Sequence, residues 1–432
     1  MMMPKSEDRG GKPGDILRRD ALKTIAGAAA ASLASPFLNL PLFAQAATPG
    51  ARTPASPAKN PSWYGFNLLE YFSTDPDWMK YFPYKDDGVF KEDDFRWIRD
   101  WGFNWVRLPM DYRFWTDPND LMKIEEKKVE PIDRAIRLGE KYGVHVDICL
   151  HRAPGYCILD TMNEKLTGIH ITKEATDLFT DAKTLDAFVH QWAFFASRYK
   201  GIPPESLSFN LMNEPLFTST QEKTHSFSNY DWKEYYADPG WLAGEKKYVR
   251  VARAAVDTIH AVDATRMIVT DGLAAGNLPI PDLIETGITQ SGHDYSPILL
   301  THYRCEWARG IVPLDTPLPT WPLKDAQGKV IFDRAILDEK LAVWPFELQH
   351  KVPFHFGEMG CYKYTPPEVV YQWYDATLGA IDSLDSGWAL WNFRGPFGVL
   401  DTERAGTKFE DWHGHKLDRT LLQLLQSKMK KS

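Results

Sequence analysis

Two glutamates close short runs that read as buried strands. Glu214 ends Ser208-Phe209-Asn210-Leu211-Met212-Asn213-Glu214-Pro215, where Leu207, Phe209 and Leu211 alternate with other residues. Pro215 stops that strand, since proline cannot donate to a sheet ladder. Glu358 closes Phe354-His355-Phe356-Gly357-Glu358-Met359-Gly360, far away in the chain. A carboxylate at a strand end, held by a rigid sheet and open to a cleft, is where barrel enzymes place their chemistry. Two such groups suit cleavage of a glycosidic bond, one as acid on the leaving oxygen and one beneath the anomeric carbon. Asn213 would steer its neighbour or hold a substrate hydroxyl. Taken alone, Asn213-Glu214-Pro215 fits a strand and a polar turn equally well; the second carboxylate favours chemistry.

Holding two such groups across one cleft requires a scaffold, and the chain repeats a strand–helix unit. Residues 64–69 predict a first strand. Residues 91–101 predict a helix, with Phe95, Ile98 and Trp101 at helical spacing and Gly102 behind them. Strands two and three are expected over 104–109 and 144–151, with Pro131 opening the helix between them. A helix over 185–199 precedes the strand of Glu214. A helix over 245–262 leads to strand five at 267–270. Strand six is expected at 298–302, strand seven at 352–356 and strand eight at 387–393. Alternating strands and helices imply parallel pairing by right-handed crossovers. The expected closure is an α/β fold, an eight-stranded (β/α)8 TIM barrel over residues 61–432. An open doubly wound sheet would show a Gly-rich loop after strand one; Glu70-Tyr71-Phe72 stands there instead. Excursions over 218–241 and 312–323 would decide whether one end of the cleft is closed.

The formal charge of −8 argues against a phosphate-backbone partner, so nucleic acid is not expected. Sixteen Trp exceed what a core needs and suit flat platforms for sugar rings. Arg18-Arg19 precedes an Ala-rich apolar run, and Ala44-Gln45-Ala46 offers a small-residue cleavage site. Residues 1–46 are therefore expected to be a twin-arginine-type signal peptide, and 47–60 a linker left after cleavage. The mature protein is expected in the periplasm or outside the cell, without stable membrane insertion. Cys149, Cys157, Cys305 and Cys361 form no CxxC pair, so a thiolate metal site is not expected. Cys305–Cys361, or Cys149–Cys157, would be open to pairing after export; free buried thiols are the alternative.

Polar residues fall at one end of the predicted barrel. They are Arg107 after strand two, His151 after three, Asn213 and Glu214 after four, His302 and Tyr303 after six, Glu358 after seven and Trp391 in eight. Any one alone fits an ion pair, a satisfied core histidine or core packing. Their spread over separate strand ends is not what packing predicts. The carrying segments are Val-Arg-Leu-Pro at Arg107, Cys-Leu-His at His151, Asn213-Glu214-Pro215, His302, Phe-Gly-Glu-Met-Gly at Glu358 and Gly-Trp-Ala-Leu-Trp at Trp391. Through them the chain resembles glycoside hydrolase family 5, the cellulase family, over roughly residues 60–425.

The resemblance implies a retaining β-glycosidase that needs no cofactor or metal. It implies acid/base work for Glu214, nucleophilic attack by Glu358, support from Arg107, His151, Asn213 and His302, and sugar stacking on Trp391. The family places a Tyr two residues after the strand-six His; here Tyr303 follows His302 directly, and Tyr303 is the candidate to support the nucleophile. Trp115 and Trp307, just past predicted strand ends, are further candidate platforms, with Tyr156 behind them. Arg107 is expected to keep Glu358 ionised, because an opposite charge lowers a carboxyl pKa. The expected substrate is a β-linked oligo- or polysaccharide, foremost as an endo-β-glucanase. A mannanase, an exo-β-1,3-glucanase, a β-glycosidase and a non-catalytic sugar-binding barrel are the alternatives.

Overall fold

Phe209 stacks on Trp192 of a covering helix, ring centres 5.3 Å apart. Its neighbours face the other way. Ser208 donates to Asp147 at 2.6 Å and Asn210 to Asp271 at 2.7 Å, each on an adjacent strand. This is the two-residue period of a strand. Repeated around the molecule, it separates an apolar shell outside the sheet from a polar column within it.

The computed structural model describes residues 59–82, 89–161, 172–217 and 232–430. Its eight strands are β1 (Tyr64–Asn67), β2 (Trp105–Asp111), β3 (His145–Arg152), β4 (Leu207–Asn210), β5 (Met267–Asp271), β6 (Thr289–Asp294), β7 (Phe354–Met359) and β8 (Trp388–Leu390). Each pairs in parallel with its neighbours in the chain, and β8 returns to β1, closing the barrel. The covering helices include α1 (Glu92–Asp100), α2 (Glu130–Tyr142), α3 (Ala182–Arg198), α4 (Pro239–Val262), α5 (Arg334–Leu341), α6 (Pro367–Ser383) and α7 (Arg419–Ser427). Their starts carry the expected chemistry. Asp181, Asp238 and Asp418 accept backbone N–H groups at the first turns of α3, α4 and α7, and Pro sits in the first turns of α2, α4 and α6. No helix among the described residues is long and apolar enough to cross a membrane.

The barrel matches the expectation, with one strand misplaced. Ile298-Leu299-Leu300 was the apolar run expected to be strand six; Ile298–Thr301 is instead a single helical turn. The strand lies upstream, in Thr289-Gln290-Ser291-Gly292-His293-Asp294, which has almost no apolar residues yet is buried throughout. Burial is tolerated because Gln290, His293 and Asp294 find partners, although Ser291 Oγ has none. Gln290 donates to Ile280 O at 2.9 Å and accepts from Ile280 N at 2.8 Å. Gly292 lies against Phe356 and Trp344, where a Cβ would come within 2.9 Å of both.

All four cysteines are buried free thiols, so neither pairing forms. The signal-peptide assignment lies outside the described residues, as does the linker apart from Lys59 and Asn60. The 218–241 excursion is described only from residue 232 onward. After β8 the chain runs through a two-stranded ribbon (Glu410–Trp412 with His415–Leu417) into α7. That helix buries Leu421, Leu422 and Leu425, and Gln426 donates to Trp101 O at 3.0 Å.

Candidate active site

Arg107 leaves β2 and runs through the barrel interior to strands on the far side. Nη1 donates to Asn67 Oδ1 at 3.1 Å and to Glu358 Oε1. Nη2 donates to Asn213 Oδ1 at 2.9 Å, to Asp271 Oδ2 at 3.0 Å and to Cys149 Sγ at 3.1 Å. Burial opposes the guanidinium charge, but Cys149, Asp271 and Glu358 outweigh it and keep Arg107 cationic. Asp271, at the end of β5, is likewise fully buried. Burial alone would raise its carboxyl, yet His293 and Arg107 hold it well below the usual carboxylate range.

Asp271 also fixes Glu214. Its Oδ2 accepts the Glu214 backbone N–H at 3.1 Å, while Tyr156 donates its hydroxyl to the Glu214 carbonyl at 2.8 Å. Leu216 N donates to the same hydroxyl at 2.9 Å. These bonds hold Glu214 at a φ of +45°, a region that L-residues with side chains rarely occupy. Tyr156 is thus a backbone clamp rather than a platform.

His293, at the end of β6, connects the two glutamates. Nδ1–H donates to Glu214 Oε1 at 2.8 Å and lies 3.6 Å from Glu358 Oε2; Nε2 lies 3.3 Å from Asp271 Oδ2. Burial would lower its pKa, but Glu358 and Asp271 push it up to about 10, so the ring is an imidazolium. Tyr295 donates its hydroxyl to Glu358 Oε2 at 3.1 Å. Burial drives the Glu358 carboxyl up to about 7, against the pull of His293 and Arg107. Desolvation therefore outweighs the effect expected of Arg107 alone.

One oxygen of Glu214, one of Glu358 and a His293 nitrogen all lie within 4.8 Å of one another. These three atoms could ligate a cation. To bind, it would have to displace His293 from Glu214 and sit among two existing positive charges.

The predicted residues divide clearly. Arg107, Asn213, Glu214 and Glu358 meet in one network. His151, His302, Trp307 and Trp391 line the open cleft above it. Burial lowers His302 to about 4 and His151 well below its ordinary value, so both are neutral. Two residues are corrected. Trp115 is fully buried, its indole N–H donating to Gln191 Oε1 at 2.8 Å, so it is a core residue and offers no face to a sugar. Tyr303 is buried beneath Arg304, and Tyr295 takes the place beside Glu358. Asn67, Asp271, His293 and Tyr295 were not anticipated. The signal for the last two was in the sequence: His293 and Tyr295 have the two-residue spacing sought at His302.

Comparison with known proteins identifies the family. The family model described as cellulase (glycosyl hydrolase family 5) matches residues 58–395. Endoglucanase C of Acetivibrio thermocellus is 22% identical over 331 residues, covering 71% of this chain and 85% of that protein. Cellodextrinase A of Ruminococcus flavefaciens is 27% identical over 227 residues, covering 52% of this chain and 57% of that protein. Among solved structures, a glycoside hydrolase superposes with a TM-score of 0.69 at 32% identity, covering 85% of this chain and 99% of the other. Thermotoga maritima Cel5A in complex with mannotriose superposes with a TM-score of 0.59 at 19% identity, covering 85% and 97%, a likeness of fold. The family model spans most of the chain and the barrel superposes on a solved glycoside hydrolase: this chain is a glycoside hydrolase and belongs to the cellulase family, glycosyl hydrolase family 5.

Proposed function

We propose that the protein hydrolyses β-linked glucan with retention of anomeric configuration, Glu358 acting as nucleophile and Glu214 as acid and then base. The observation that carries this is the short gap between the two carboxyl groups, oxygen to oxygen within 4.8 Å. Retaining enzymes hold these groups about 5–5.5 Å apart, whereas inverting ones leave about 6.5–9.5 Å for a water. The names of the relatives, an endoglucanase and a cellodextrinase, support β-glucan as the substrate, and the first of them supports internal cleavage as the mode.

The roles follow from the partners. Glu358 Oε1 is held by Arg107 and Oε2 by the Tyr295 hydroxyl, which aims the carboxylate and lets it give up charge to the sugar. Glu214 Oε1 is occupied by His293, whereas Oε2 accepts only a long 3.4 Å bond from Asn213 Nδ2 and is the oxygen that protonates the leaving group. In the second step Glu214 takes a proton from water, and that water releases the sugar from Glu358. The Asn213 side chain binds Arg107 through its oxygen and donates one amide N–H to Glu214 Oε2 at 3.4 Å, so its second N–H is the one available to a sugar hydroxyl.

Early product read by proton NMR tests the proposal, with the β-anomer expected first. An initial α-anomer would exclude Glu358 as a covalent nucleophile. Glu358→Ala should abolish turnover, with azide restoring it from the vacated space.

A further inference from the structure

The polar column continues below Arg107. At the strand starts, on the face opposite the cleft, His145 opens β3 and stacks on Trp63 with ring centres 4.6 Å apart. Its Nδ1 lies 2.8 Å from Glu205 O and its Nε2 2.7 Å from Ser208 Oγ, which lies 2.6 Å from Asp147 Oδ1. Three short contacts need three hydrogens. A carbonyl only accepts, so Nδ1 carries one, and the Ser208 hydroxyl supplies a second. A neutral imidazole, a hydroxyl and a carboxylate have no third. The third is an added proton, with two places to sit. On His145 Nε2 it makes an ion pair, with Ser208 donating to Asp147. On Asp147 Oδ1 it makes an uncharged pair, with Ser208 donating to His145. Burial favours the uncharged pair, pushing His145 down to about 4 and Asp147 up to about 7.

Asp147 is also the register partner of Arg107 across β2 and β3, and both side chains are fully buried. The guanidinium bonds through Nη1 and Nη2, whereas its Nε–H has no acceptor; Asp147 Oδ2 has no partner either. The other titratable groups about this chain are Cys149 on β3, Asp271 on β5, Arg266 just before β5 and His355 on β7. We infer that His145 and Ser208 hold a proton on Asp147, and that this makes Asp147 a positioning residue for Arg107: with the proton in place the guanidinium stays with Glu358, and without it the new carboxylate draws the guanidinium away. On release Asp147 keeps the bonding electron pair, Ser208 turns its hydrogen to Oδ1, and Nε2 is left bare. At that depth, with little water to screen it, the new charge acts strongly on its neighbours. His145 lines a hollow at the strand starts with Trp63, Glu205 and Ser206, so the proton exchanges with solvent there and does not cross the substrate cleft. The inference rests on Glu358 being the nucleophile.

The pH dependence of kcat/KM on a nitrophenyl β-cellobioside tests this, because that leaving group departs without a proton and the first step no longer needs an acid. The wild type should decline above about pH 7, on the order of tenfold by about pH 8.5. Asp147→Asn, whose amide N–H supplies the third hydrogen without titrating, should stay level over that range. His145→Phe keeps the stack on Trp63 but leaves Ser208 only Asp147 to donate to, so its decline should begin at lower pH. An alkaline decline shared by the wild type and Asp147→Asn, or none in the wild type, would overturn the inference. Infrared spectra separate it from the catalytic roles. At about pH 6, where an ordinary Asp is ionised, wild type minus Asp147→Asn should show the C=O stretch of an un-ionised carboxyl group. A carboxylate band in its place would sink the held proton. The acid band in an enzyme that cleaves no glycoside would leave the proton in place and sink the role given to Glu358.

Discussion

His293 lies close to three carboxylates at once, and its charge is what lets Glu214, Asp271 and Glu358 sit so near one another. Its folded-state pKa of about 10 exceeds the ordinary 6.5. A raised folded pKa means that the native state binds more protons than the unfolded one. The stability it contributes is complete below about pH 6.5 and is lost as pH rises through about 10. Glu358, raised to about 7, acts in the same direction but at lower pH, between about 4.5 and 7. Between about pH 7.5 and pH 10 the effect of His293 therefore stands apart. Melting temperatures over that window should fall more steeply for the wild type than for His293→Gln. Parallel declines would mean that His293 is not charged. The two glutamates were legible in the sequence because each ends an apolar run. His293 was not, because its strand has no apolar alternation: Gly292 leaves room for its neighbours, and Gln290 is satisfied by backbone. Asp271 hid for a simpler reason, lying one residue past the expected end of its strand.

The turn after β5 is the least ordinary element of the mouth. Ala274, Ala275 and Gly276 are all left-handed, with φ of 53°, 57° and 78°. Such a conformation costs about 1–2 kcal/mol for each residue bearing a side chain. It is braced from two directions. Asn277 Nδ2 donates to Ala274 O at 2.7 Å, and Lys340 of α5 donates to Asn277 Oδ1 at 2.7 Å and to Asp294 Oδ1 at 2.9 Å. The turn brings Gly276 so close to His293 that a Cβ would lie 2.6 Å from the histidine Cβ. Gly276→Ala should destabilise the fold by about 1–3 kcal/mol through overpacking and lower kcat by shifting His293. Thermal melting and steady-state kinetics read both effects; wild-type values in each would show that the turn gives way without touching the histidine. No periodicity announces such a turn, since Leu-Ala-Ala-Gly reads as readily as helix. The regular elements were legible because their outward faces are apolar, and an apolar face keeps the period of the element that carries it.

At the scale of the molecule, the barrel followed from alternating strands and helices, and the error at strand six changed its contents rather than its count. The two ends of the described chain meet at one place. Asn60 donates to Leu384 O at 3.2 Å and accepts from Phe354 N at 2.9 Å. Lys430, just past α7, donates its backbone N–H to the Tyr64 hydroxyl at 3.4 Å and lies 3.5 Å from Asp382. Both ends thus rest on the C-terminal end of α6 and the turn behind it. The fold is a ring with no privileged starting point, and the order in which its eight units are synthesised is a matter of history. A short Gly/Ser linker between the ends, with the chain reopened at the exposed Gly328 turn, should give a circularly permuted enzyme that folds and keeps the parent's glycosidase activity. Failure of that permutant to fold in a soluble, active form would show that β1 must be made first for the ring to close.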